Sequence, residues 1–101
     1  MNPIVEERRR DLEAICQRFG VRQLELFGSG ATGAFDSQTS DLDFLVEFDS
    51  DPTRRADRYF GLLESLEDLF GRPVDVVEVG AIRNPYFLRA IEASRTLLHA
   101  A

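Results

Sequence analysis

Asp41-Leu42-Asp43-Phe44-Leu45-Val46-Glu47-Phe48 sets two carboxylates at the head of an apolar run. Side chains on a strand alternate faces, so the run predicts a strand from Asp41 to Phe48 with Leu42, Phe44, Val46 and Phe48 on one side. Asp41, Asp43, Leu45 and Glu47 then share the other side, and Leu45 implies that this side is partly covered. Two acids projecting together from one strand outline a clamp for a divalent metal. Eleven residues separate Asp41 from Ser29, which with Gly28 ends a shorter predicted strand over residues 22 to 27 containing Leu24-Glu25-Leu26-Phe27. A helix can begin after such a turn with its free N–H groups directed at an anion.

A third acid, Asp75, stands early in Pro73-Val74-Asp75-Val76-Val77-Glu78-Val79, a β-branched run bounded by Pro and Gly that predicts another strand. Val77 and Val79 share its face, while Val74, Val76 and Glu78 lie on the other. If this strand neighbours the Asp41–Phe48 strand, the three carboxylates form a cluster. Two like charges about 5 Å apart at an effective dielectric near 20 repel by roughly 3 kcal/mol, so a cluster requires a positive partner. Magnesium fits, being a hard cation held by carboxylates together with substrate phosphates. One carboxylate is then available to take the proton of an attacking hydroxyl. Each part has a plainer reading: Asp-x-Asp as a solvated edge pair, Gly-Ser as a turn and N-cap, and Asp75 as a partner of Arg72. Their combination and order are far more specific than any one of them.

The chain has 101 residues, which predicts a single domain spanning 1–101. A chain of this size buries roughly 65% of its unfolded surface and needs no disulfide to hold a core. Cys16, the one cysteine, falls in an apolar helical stripe and is expected to be a small core residue. No apolar run is long enough to span a bilayer, and Met1-Asn2-Pro3-Ile4-Val5-Glu6-Glu7 lacks the order of a secretory signal, so a cytoplasmic location is expected. The net charge of −6 argues against direct nucleic-acid binding, which draws on Lys and Arg neutralising phosphates. Arg supplies all 12 basic residues, a usage that genome composition explains.

The remaining spacing predicts a helix from Pro3 to Phe19 capped by Gly20, with Arg8, Arg9 and Arg10 on a mixed-sign solvated face. Gly30 to Phe35 reads as one or two helical turns and Asp36 to Ser40 as a polar loop. After a loop at Asp49 to Thr53, a longer helix carries the stripe Tyr59, Phe60, Leu62, Leu63, Leu66, Leu69 and Phe70 and is capped by Gly71. A last helix opens near Asn84-Pro85-Tyr86, and Thr96 to His99 reads as a short strand. Tyr59 and Tyr86 read as core or interface aromatics, and His99 carries little weight as a ligand.

Leu24 to Ser29, Ser40 to Phe48 and Gly71 to Val77 together resemble the minimal nucleotidyltransferases of the DNA polymerase beta superfamily, and the resemblance spans nearly the whole chain. It implies an α/β fold in which a small mixed sheet is flanked by helices. It further implies Gly28 and Ser29 on nucleotide phosphates, Asp41 and Asp43 as magnesium ligands, and Asp75 as the third, base-like carboxylate. The reaction implied is transfer of a nucleoside monophosphate, AMP from ATP, with pyrophosphate leaving. Such proteins are often antitoxins whose partner is a helical ribonuclease toxin of HEPN type, and some adenylylate that toxin. Gly30 and Thr32 replace Arg residues common in the family, and eleven rather than ten residues separate Ser29 from Asp41. Arg54, Arg55 and Arg58 are alternative sources of the missing positive charge, or simply a solvated helix start. An antitoxin that has lost catalysis and acts by binding alone is the rival expectation.

Overall fold

In the computed structural model, which describes residues 3–28, 42–51, 53–81, 85, 86, 89 and 95–100, a sheet is built from β1 (Val21–Phe27), β2 (Leu42–Phe48), β3 (Val74–Glu78) and β4 (Thr96–Ala100). Their order is β3-β2-β1-β4. β1 runs antiparallel to β2 and β4, and β2 runs parallel to β3, so the sheet is mixed. Parallel neighbours require a crossover, and a helix, Arg55–Phe70, makes it.

The amino-terminal helix predicted as one piece is two, α1 (Pro3–Glu6) and α2 (Arg9–Phe19), with the crossover helix following as α3. Arg8 sits at φ −109° and ψ 16°, off the helical well, and its N–H donates to the Val5 carbonyl at 3.0 Å. This tight turn gives α2 its own heading. Arg9 then donates to the Leu98 carbonyl of β4 at 2.6 Å, so it joins helix to sheet and is not merely part of a solvated face. Gly20 and Gly71 close α2 and α3 as expected, each with a positive φ. β3 is shorter than predicted at both ends: Pro73 has no N–H to give a ladder, and Val79–Ala81 turns into a 3-10 helix. β4 extends one residue further, to Ala100.

The apolar faces of the strands decide where the helices lie. Leu24, Leu26, Leu42, Phe44, Val46, Phe48, Val74, Val76 and Leu98 form one buried layer beneath Leu12 and Cys16 of α2 and Leu62 and Leu66 of α3. The helical pairs are four residues apart, which puts each on one stripe. Phe44 and Phe70 stack with ring centroids 5.9 Å apart. Cys16 is a core residue, its thiol pushed up to about 12 by burial first and by neighbouring Glu13 second. On the opposite face Phe27 and Leu45 form a second buried cluster with Val77 packed against them. Leu45 is 3% exposed, in line with a covered carboxylate face.

The short helix predicted over Gly30 to Phe35 and the polar loop at Asp36 to Ser40 lie outside the described residues. Of the last predicted helix, Pro85, Tyr86 and Arg89 are helical, and Tyr86 is exposed.

A candidate active site at the head of two parallel strands

β2 carries Asp43 as its second residue because Leu42 and Phe44 must both face the helices, which leaves the residue between them on the opposite side. β3 repeats the arrangement, with Val74 and Val76 in the core and Asp75 between them. The register pairs Asp43 with Asp75 directly, and on its other side Asp43 opposes Phe27, the last residue of β1. Neighbouring strands lie about 4.8 Å apart, so the two acids stand side by side on one face. Asp75 is exposed and Asp43 half-buried. No ion pair joins Asp75 to Arg72 among the described residues.

Gly28 follows Phe27 with φ +69°, and a Cβ built on it would lie 2.6 Å from Asp43 Oδ2. The carboxylate therefore rests against bare backbone, a contact that only glycine permits. Phe27, Asp43, Asp75, Val77, Tyr59 and Leu63 are among the residues lining an open cleft of about 450 Å³ at this spot. Asp41 and Ser29 lie outside the described residues, as do Gly30 and Thr32. Among the sequence-derived site residues, the fold thus brings together Gly28, Asp43 and Asp75.

The arginines considered as substitutes for the missing positive charge are committed elsewhere. Arg54 pairs with Asp57, and Arg55 with Glu78, three residues past Asp75 and so about 10 Å along the strand. Arg58 is 14% exposed and donates to the carbonyls of Phe19, Gly20 and Asp51 and to Asp49, with its guanidinium 5.0 Å from the Phe48 ring centroid. Gly20 precedes β1 whereas Phe27 ends it, which puts this fastener at the other end of the sheet, about 20 Å from the acids. No Arg lines the cleft among the described residues.

Tyr59 is the lining residue that sequence reading assigned to core or interface only. Its hydroxyl donates to the Val76 carbonyl at 2.7 Å. The apolar stripe announces a buried face of α3, but nothing in it announces that the phenol reaches the strand carrying Asp75.

Two adjacent carboxylates, a glycine turn against one of them and an open cleft thus stand together at the head of the parallel strands. The chain matches the nucleotidyltransferase domain family over residues 8–98. It belongs to that family. This nucleotidyltransferase is 34% identical over 92 residues to "Putative protein adenylyltransferase MJ1379" of Methanocaldococcus jannaschii, a match covering 91% of either chain. A solved "putative minimal nucleotidyltransferase" superposes with a TM-score of 0.74 at 30% identity, over 90% of this chain and 89% of that one. The fold is shared with a structure of tri-AMPylated Shewanella oneidensis HEPN toxin in complex with MNT antitoxin, at a TM-score of 0.66 and 15% identity, covering 96% of this chain and 73% of that one.

Proposed function

We propose that this nucleotidyltransferase moves AMP from ATP onto a hydroxyl of a HEPN-type toxin and so acts as the antitoxin of a cytoplasmic toxin–antitoxin pair. The observation that carries the reading is the register of Asp43 with Asp75 beside Gly28. The adenylyltransferase naming of the methanogen relative supports AMP as the group transferred, and the AMPylated HEPN complex supports the class of partner.

Asp41, Asp43 and Asp75 are the residues that would hold magnesium, and their donor set of carboxylate oxygens suits it. When bound, the ion would supply positive charge to the phosphates and to the acids that surround it. Gly28 and Ser29 would present backbone N–H groups to the triphosphate. Asp75, the exposed acid, would accept the proton of the acceptor hydroxyl as that oxygen bonds to the α-phosphorus; the bond from the α-phosphorus to its bridging oxygen breaks, and pyrophosphate leaves.

Incubation with labelled ATP, magnesium and a folded HEPN partner tests this directly. The wild-type chain is expected to label the partner, and Asp43→Asn to lose at least a hundredfold in rate, about 2.7 kcal/mol of barrier, with unchanged circular dichroism. Failure of the wild type to label under any divalent metal, or equal labelling by the variant, would sink the proposal.

A second reading, neutralisation by binding alone, draws on the cleft's lack of a described arginine and on Gly30 and Thr32. Full protection from the toxin by a chain carrying both Asp41→Asn and Asp43→Asn would favour it over catalysis.

A further inference from the structure

Asp75 sits on an edge strand, since β3 has β2 on one side and no strand on the other among the described residues. A strand held from one side frays more readily than one held from both, and a proton acceptor must be placed to within a fraction of an ångström of its target. The outer side of β3 is not left open. Tyr59 donates its phenolic O–H to the Val76 carbonyl at 2.7 Å, and the Val74 N–H donates to Glu67 Oε2 at 3.4 Å. Successive residues of a strand direct their amide groups to opposite sides. Val74 and Val76 thus turn outward, while the residue between them turns its own N–H and C=O toward β2. The residues before and after Asp75 are both tied to α3, and Asp75 itself is tied to the strand bearing Asp43.

We propose that Tyr59 and Glu67 form a clamp on β3 that positions the Asp75 carboxylate for transfer, and that they are positioning residues rather than catalytic ones. The inference rests on the reading of Asp75 as the acceptor's base. It adds two side chains of the crossover helix to the machinery. It also gives the partly buried Tyr59 a purpose beyond packing: the ring packs against the core, and the hydroxyl sets the edge strand. Glu67 contributes less, because its bond is long.

Tyr59→Phe keeps the ring and removes only the hydroxyl, so it is the decisive variant. Its kcat for labelling a HEPN partner is expected to fall about tenfold with KM for ATP within twofold of wild type. Amide hydrogen exchange followed by NMR is expected to quicken about tenfold at Asp75 and Val77, with Asp43 and Leu45 of β2, whose N–H groups face β1, unchanged. Glu67→Ala is expected to lower kcat about threefold, and Glu67→Gln to restore it, because the amide oxygen still accepts from the Val74 N–H. An unchanged kcat in Tyr59→Phe, with or without faster exchange, overturns the clamp while the transfer reading stands. Wild-type protein that transfers nothing overturns the transfer reading instead, and that is visible before any variant is compared. A fall in kcat matched by an equal loss in ATP affinity and in protection at Asp43 and Leu45 would mark general damage and also overturn the clamp.

Discussion

The contact between Gly28 and Asp43 shows how one residue without a side chain sets the position of one with a charge. A Cβ at Gly28 would meet Asp43 Oδ2 at 2.6 Å, and φ +69° is a conformation that costs other residues about 1–2 kcal/mol. Gly28→Ala is therefore expected to push the Asp43 carboxylate away from the cleft and to cut transfer at least tenfold. For a domain near 100 residues, the strain alone lowers the melting temperature by about 4–10 °C, which calorimetry would detect. At this scale the sequence was informative about residue types and silent about the contact. Asp43, Asp75 and Gly28 were all legible as candidates from strand alternation and turn chemistry. That Gly28 supports Asp43 follows only from the antiparallel register of Phe27 with Asp43, which no local pattern specifies.

At the scale of elements, α3 was the most legible piece, because sixteen residues with a periodic stripe and a terminal glycine leave few alternatives. What the stripe did not disclose is how closely α3 approaches α2. Gly61 of α3 faces the Phe19 ring of α2, and a Cβ there would run into the ring carbons. Gly61→Ala gains roughly 1 kcal/mol of helix propensity, yet overpacking a close contact costs about 1–3 kcal/mol. The variant is expected to be less stable by about 1 kcal/mol in urea titration, a result opposite in sign to that for an open helical site. The break between α1 and α2 was missed for a related reason: it lets Arg9 reach the Leu98 carbonyl, and that partner lies 89 residues away. Arg58 was likewise read from its neighbours in sequence, whereas its hydrogen-bond partners come from α2, the turn into β1 and the loop after β2.

Across the whole molecule, Glu25 of β1 and Arg95 just before β4 tie distant parts of the chain on the carboxylate face. Arg95 donates to both carboxylate oxygens at 2.6 and 2.5 Å, Gln23 donates at 2.7 Å, and Glu25 is 5% exposed. The Arg95 hydrogen bonds hold the Glu25 carboxyl below its usual range, against the opposing effect of burial. A depressed folded-state value means that the ionised form stabilises the fold. That contribution is present above the unfolded glutamate value near 4.3 and is lost as pH falls through the lower folded one. Thermal melts from pH 7 to 2 should thus show stability declining below about pH 4. Glu25→Gln should be weaker by about 2 kcal/mol at pH 7 and show a flatter acid decline. The sequence by itself determined which residues could be core, which runs were strands or helices, and which acids were candidates for chemistry, because alternation, helical period and turn residues are local properties. Tertiary structure alone decided that Asp43 and Asp75 are neighbours, that Tyr59 reaches the edge strand, and that Glu25 has Arg95 as its partner. Strand order and register arise from burying all the apolar faces at once, and no single segment contains that information.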